Sequence, residues 1–200
     1  MTKVKTLDVR NLVLLAILTA VVIILQILGA FIKFGPFSIS LVLMPIAVGA
    51  ALLGAYAGAW LGLVFGFVVL ISGDAFAFLA INPVATVFVV LLKGALAGFV
   101  AGKLYEFFTR RSKTVAAVAA AIACPVINTG IFIIGCYIFF LPVLTEWGIA
   151  VGAVNVTAYI FLVLVGVNFL IELAVNLVLS PTIVRLVQYG KSKWDINTQG

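Results

Sequence analysis

The sequence predicts an all-α integral membrane protein with six transmembrane helices and both termini in the cytoplasm. Three observations predict it. Of 200 residues, 66% are hydrophobic and 9% charged, with a mean hydropathy of +1.37; soluble domains are about half apolar and a quarter charged. The apolar runs are long enough for helices that cross roughly 30 Å of hydrocarbon, which takes about 20 residues each, and the alternating pattern of an outer-membrane barrel is missing. The basic residues fall mostly on one side of the predicted spans, which orients the chain.

The spans are predicted at 12–32, 41–53, 55–72, 84–108, 114–141 and 157–188, within a single membrane domain over 1–200. The first is a true span and not a cleavable signal peptide, because no A-x-A site in a polar stretch follows it. The second and third are short and adjoin at Gly54-Ala55-Tyr56, which leaves a tight helical hairpin or one bent segment open. Gly and Pro in "KFGPFSIS" and "GDAFAFLAINP" mark breaks, and "RRSK" is a charged turn. An even number of spans puts the termini on one side. Lys3, Lys5, Arg10, Lys103, Arg110, Arg111, Lys113, Arg185, Lys191 and Lys193 fall there, against Lys33 alone opposite. The net charge of +6 is therefore mostly a positive-inside signal and does not point to nucleic acid.

Glycines recur every four residues at Gly54, Gly58, Gly62 and Gly66, and again at Gly94, Gly98 and Gly102. Each series forms one helical face on which backbones can approach closely, either inside the monomer or against a partner. Ala16 and Ala20 in "AILTA" repeat the small-x-x-x-small pattern on the first span.

Cys124 and Cys136 lie twelve residues apart on one predicted helix, about 18 Å at the helical rise, too far to bridge. Histidine is absent and the acids do not cluster, which argues against a metal centre, a redox dithiol or a bound cofactor. The absence of histidine and of an acid pair also argues against an intramembrane hydrolase.

Two charges fall well inside spans, Lys93 and Glu172. Ionisable groups at that depth cost roughly 2.5 to 3.5 kcal/mol on insertion scales, face the bundle interior, and mark function or a mutual pair. In "NFLIELAVNLVLS", Asn168, Glu172 and Asn176 share one helical face. Asn128 lies mid-span in "PVINTG", after Pro125, which can free a backbone carbonyl. Counted from the outer ends at the helical rise, Lys93 lies roughly 14 Å deep, and Asn168 and Glu172 roughly 17 and 22 Å. These depths predict a polar pocket shared by the fourth, fifth and sixth spans. Phe31, Phe34, Phe37, Phe76, Phe78, Phe139, Phe140 and Trp147 gather near the predicted outer face, as an interfacial belt or as a lid over the pocket. Asn82, before Pro83, caps the fourth helix or meets a ligand.

The order of "SLVLMPIAVGAALLG", "NPVATVFVVLLKG" and "PVINTG" along the chain, with six spans and the Ala16–Ala20 motif, resembles the substrate-binding membrane subunits, or S components, of energy-coupling factor vitamin transporters. The resemblance covers the whole chain, and the "NP...LLKG" and "PVINTG" strings suggest the pantothenate-type subgroup. It implies a prokaryotic cell-membrane protein that binds a vitamin from outside. It also implies that Ala16 and Ala20 dock on a transmembrane coupling subunit, and that toppling in the bilayer is driven by two cytoplasmic ATPases that use the ATP. Lys93, Asn128, Asn168, Glu172, Asn82, Phe37 and Phe76 are the candidate ligand-binding residues. Lys93 would meet a carboxylate; if Glu172 already neutralises it, riboflavin, pyridoxine or a hydroxymethylpyrimidine fits as well. The chain lacks G-x-x-x-x-G-K-[ST], so it needs partners to use ATP by that route. A small secondary carrier is the rival reading, but inverted repeats between the first and last three spans are not visible.

Overall fold

The computed structural model describes residues 9–30, 33–34, 37–38 and 41–197. Helix α1 (Val9–Gly29) is followed by a two-residue antiparallel pair, β1 (Lys33–Phe34) and β2 (Phe37–Ser38). Then come α2 (Leu43–Leu53), α3 (Ala55–Ile71), α4 (Phe76–Ile81), α5 (Pro83–Thr109) and α6 (Lys113–Gly135). A π-helical turn (Cys136–Phe140) joins α6 to α7 (Leu141–Ala150); α8 (Val156–Ala158) runs into a second π-helical turn (Tyr159–Leu164) and α9 (Gly166–Asn197).

Among the described residues three helical runs are long and apolar enough to cross a membrane: α1, α5 and the continuous stretch Lys113–Ala150. The pair Val156–Leu164 and Asn168–Thr182, bent by 43°, makes a fourth if it is taken as one broken span and not a re-entrant loop. The segments expected as the second and third spans are shorter helices of 11 and 17 residues. At 1.5 Å per residue α2 reaches only about 16 Å, half the hydrocarbon thickness. Every residue of α2 from Pro45 to Ala51 is buried, as befits a helix that is apolar all round. The break at Gly54 is a hairpin. Its φ of 96° is a conformation that favours glycine, and beyond it Gly58 comes back against Ala50, and Leu61 against Gly49.

The fifth span also runs further than expected. Pro142 stands in the first turn of α7, where its missing N–H is tolerated, and the π turn just before it absorbs the mismatch with the preceding α-helical ladder. Asn82 and Ser112 cap α5 and α6, accepting from Ala85 N at 3.1 Å and Val115 N at 3.5 Å.

Two apolar clusters hold the bundle. One surrounds α2 with Leu43, Ile46, Leu61, Phe65, Ala97, Ala120 and Cys124; the other joins Phe78 to both π turns through Cys136, Phe140, Ile160 and Leu164. Between α3 and α5 the two glycine series face each other. A Cβ on Gly62 would lie inside contact distance of the Gly94 backbone carbonyl, and the reverse is equally true; Gly58 and Gly98 form the next rung. The glycine faces are therefore used inside the monomer.

Charge marks one end of the bundle. Arg185 on α9 donates to Thr114 on α6, beside the turn that carries Arg110, Arg111 and Lys113. Glu106 near the end of α5 accepts from Ala55 N at 3.4 Å and from Lys103 at 3.0 Å, which brings the Gly54 turn to the same end. Lys3, Lys5 and the side chains of Lys33, Lys191 and Lys193 lie outside the described residues.

Backbone contacts cannot be relieved by a rotamer change. Gly62→Val should therefore lower stability by more than the roughly 1 to 3 kcal/mol of ordinary overpacking. Gly130→Ala, where a Cβ meets nothing within 4 Å, should be neutral or slightly stabilising. Thermal unfolding of the detergent-purified variants, followed by size-exclusion fluorescence, checks both.

Candidate functional site: a polar cavity inside the apolar bundle

Helix α9 carries Asn168, Glu172 and Asn176 at four-residue spacing, so one face of it is polar and turns inward. Asn176 is fully buried, donates from Nδ2 to the Glu172 carbonyl at 2.9 Å and accepts from Ser180 Oγ at 3.4 Å. It satisfies its own helix. Glu172 and Asn168, one and two turns nearer the π segment, line a cavity.

The other walls come from four elements. Helix α5 contributes Lys93, α6 contributes Asn128, Thr129 and Phe132, α3 contributes Phe65 and Val69, and α1 contributes Gln26. Asp74, in the turn between α3 and α4, closes the ring. The cavity is about 80 Å³, room for a few water molecules. It lies toward the end of the bundle away from the arginine-rich turn, because Asp74 follows the end of α3 opposite the Gly54 turn, and Gln26 near the end of α1 donates from Nε2 to Asp74 Oδ2 at 2.6 Å.

The Lys93 ammonium sits over two rings, 5.6 Å from the centroid of Phe65 and 5.3 Å from that of Phe132, a cation–π arrangement that gains strength away from water. The Glu172 and Asp74 carboxylates are near enough to act on it electrostatically. Gln26 is 1% exposed and Asn128 5% exposed. The side-chain carbonyl oxygen of each lacks a hydrogen-bond partner among the described residues, a costly state for a buried acceptor.

Lys93, Asn128, Asn168 and Glu172 thus come together from three helices. Asn82 and Phe76 do not reach this cavity: Asn82 caps α5, and Phe76 is 73% exposed. The side chain of Phe37 lies outside the described residues, as do those of Phe31 and Phe34. The other aromatics divide. Phe78 is buried at the centre of a cluster, edge-on to Phe132 at 5.7 Å, Phe140 at 4.9 Å and Trp147 at 5.8 Å, while Phe139 is exposed on the surface. Phe132 links this cluster to the cavity.

Sequence reasoning missed Gln26, Asp74 and the two rings beside Lys93. Gln26 had a signal, a single amide inside "VVIILQILG"; Asp74 read as a loop residue. Nothing in the sequence pairs Phe65 with Lys93. Among the described residues no three His, Cys, Asp or Glu side chains converge as metal ligands would, and Cys124 and Cys136 are free and buried.

On α1, Ala16 and Ala20 are exposed, on a face that also exposes Leu12, Val13, Ile17 and Ile24. The helix packs on the rest through α2 and α3.

Compared with known proteins, the chain has no match among curated sequences. A family model described as "ECF transporter, substrate-specific component" matches residues 10–184, a stretch that runs from α1 to α9 and includes every described residue of the cavity. This multi-pass helical chain belongs to the ECF transporter substrate-specific component family.

Proposed function

We propose that the cavity is the vitamin site of an energy-coupled importer and that this chain is its substrate-binding subunit, resident in a prokaryotic cell membrane. The observation that carries the reading is the convergence of Lys93, Asn128, Asn168 and Glu172 on one cavity inside an apolar bundle, where each polar group would be costly without a task. The arginine-rich end supports a cytoplasmic assignment for that end. The cavity then faces outward, and the ligand arrives from outside.

At about 80 Å³ the cavity is well short of the roughly 300 Å³ at the low end of small-molecule clefts. A vitamin enters by displacing lining side chains, of which Phe65, Phe132 and Phe169 are the aromatic ones. The exposed Ala16–Ala20 face of α1 supports docking on a transmembrane coupling subunit, since small residues let a partner helix approach closely. Two cytoplasmic ATPases would then drive toppling of the subunit. Pantothenate is the ligand that the strings around Lys93 and Asn128 suggest, with its carboxylate on Lys93 and its amide and hydroxyls on the asparagines. A neutral vitamin such as riboflavin, pyridoxine or a hydroxymethylpyrimidine would instead leave Lys93 beside Glu172.

Native mass spectrometry of the purified subunit should show one tight 1:1 adduct in a panel of pantothenate, riboflavin, pyridoxine, thiamine, hydroxymethylpyrimidine, folate and biotin. Absence of any adduct would return Lys93 and Glu172 to a purely structural role. Replacing them together, Lys93→Met with Glu172→Leu, should weaken that adduct more than tenfold while the protein still purifies as a single species; retained binding would sink the pocket assignment.

A different readout addresses assembly. Ala16→Phe with Ala20→Phe should leave vitamin binding by the isolated subunit unchanged and reduce co-purification with the coupling subunit and ATPases at least tenfold. An undiminished yield of complex would remove α1 as the docking helix.

A further inference from the structure

The ionisable side chains lining the cavity are two carboxylates, Asp74 and Glu172, and one ammonium, Lys93, a formal charge of −1. That ammonium is already engaged. It lies over the Phe65 and Phe132 rings, with both carboxylates near enough to attract it. A ligand carboxylate would have to compete with Glu172 and Asp74 for the single cation, and would bring the local charge to −2 in a medium that screens poorly.

The hydrogen-bonding inventory points the same way. Gln26 donates from Nε2 to a carboxylate oxygen of Asp74 at 2.6 Å. A carboxylate only accepts, so the orientation of the Gln26 amide follows from chemistry and its Oε1 must be the atom left over. Oε1 is buried and lacks a partner among the described residues, as is Asn128 Oδ1. Both are acceptors. A ligand that only accepts would leave them unsatisfied, whereas N–H or O–H groups would satisfy them. Phe65, Phe132 and Phe169 add ring surface around these acceptors, and ring faces favour flat or cationic partners.

We infer that the cavity is specific for a planar, hydrogen-bond-donating heterocycle, neutral or cationic, whose N–H or O–H groups meet Gln26 Oε1 and Asn128 Oδ1, and that it rejects carboxylates. The inference rests on the reading of the cavity as the vitamin site and, of the two ligand classes given there, takes the neutral one in place of pantothenate with its carboxylate on Lys93. Under it, Lys93 is an internal counter-ion that holds Glu172 and Asp74 in place. Gln26 is a specificity-determining residue supplied by α1.

Matched pairs test it on the full chain in lipid nanodiscs, by titration calorimetry: nicotinamide against nicotinate, pantothenol against pantothenate, with the neutral aminopyrimidine hydroxymethylpyrimidine and cationic thiamine as further probes. The uncharged member of each pair should bind at least tenfold tighter than its carboxylate, and the aminopyrimidine or thiamine tighter than either carboxylate. Glu172→Gln, which removes one negative charge and keeps the shape, should narrow the ratio within a pair at least threefold. Gln26→Met should weaken the best donor ligand at least tenfold, with thermal unfolding reporting whether the variant is folded. Tighter binding of a carboxylate member, or a pair ratio unmoved by Glu172→Gln, overturns this inference and leaves the vitamin-site reading intact. Failure of every probe and every vitamin to bind overturns both.

Discussion

The close approach of α3 and α5 is the constraint on which the rest of the structure depends. At Gly58, Gly62, Gly94 and Gly98 the two backbones touch where side chains would otherwise stand. Helices held at that distance bring the residues flanking the seam together. Phe65 lies 3.4 Å from where a Gly94 Cβ would stand, and it carries the ring under the Lys93 ammonium. A larger residue in the seam would push α3 away, and with it one wall of the cavity. Lipid offers no hydrophobic drive for helix association, so this van der Waals fit is the main cohesive term available between these two helices.

Around that seam the polar groups are arranged by elimination. A charge in an apolar bundle must face other polar groups or a cavity, and the helical spacing of Asn168, Glu172 and Asn176 sends all three the same way. Their outcomes differ because their depths differ. Asn176 finds backbone and Ser180 and becomes part of the packing, whereas Asn168 and Glu172 reach the level of Lys93 and Asn128 and line the space between helices. One stripe thus both packs the helix and lines the cavity.

Irregular backbone gathers beside the same cavity. The π turn at Tyr159–Leu164 ends at Leu164 and Val165, both of which line it, and the chain bends by 43° there. The other π turn, Cys136–Phe140, contributes Phe140 to the same apolar cluster that holds Leu164. A widened turn is weaker than regular α-helix and commonly accompanies function. Both turns share the apolar cluster of Phe78, whose ring meets Phe132, so the irregular backbone lies next to a wall of the cavity.

The membrane class, the long apolar helices α1, α5 and α6, and the grouping of Lys93, Asn128, Asn168 and Glu172 were legible in the residues alone. These follow from local quantities: apolar length, helical rise and the cost of charge in hydrocarbon. The same quantities marked Ala16 and Ala20, though nothing in the spacing says which surface meets them. Tertiary structure decided the rest. Whether the Gly54 break makes a hairpin, whether the two glycine series meet each other, and which rings flank Lys93 depend on which helices are neighbours, and apolar periodicity cannot rank neighbours among spans that are apolar all round. Gln26 and Asp74 show the reason most directly. They are 48 residues apart, one a lone amide in an apolar span and the other an acid in a loop, and they become partners only because packing brings the end of α1 to the turn after α3.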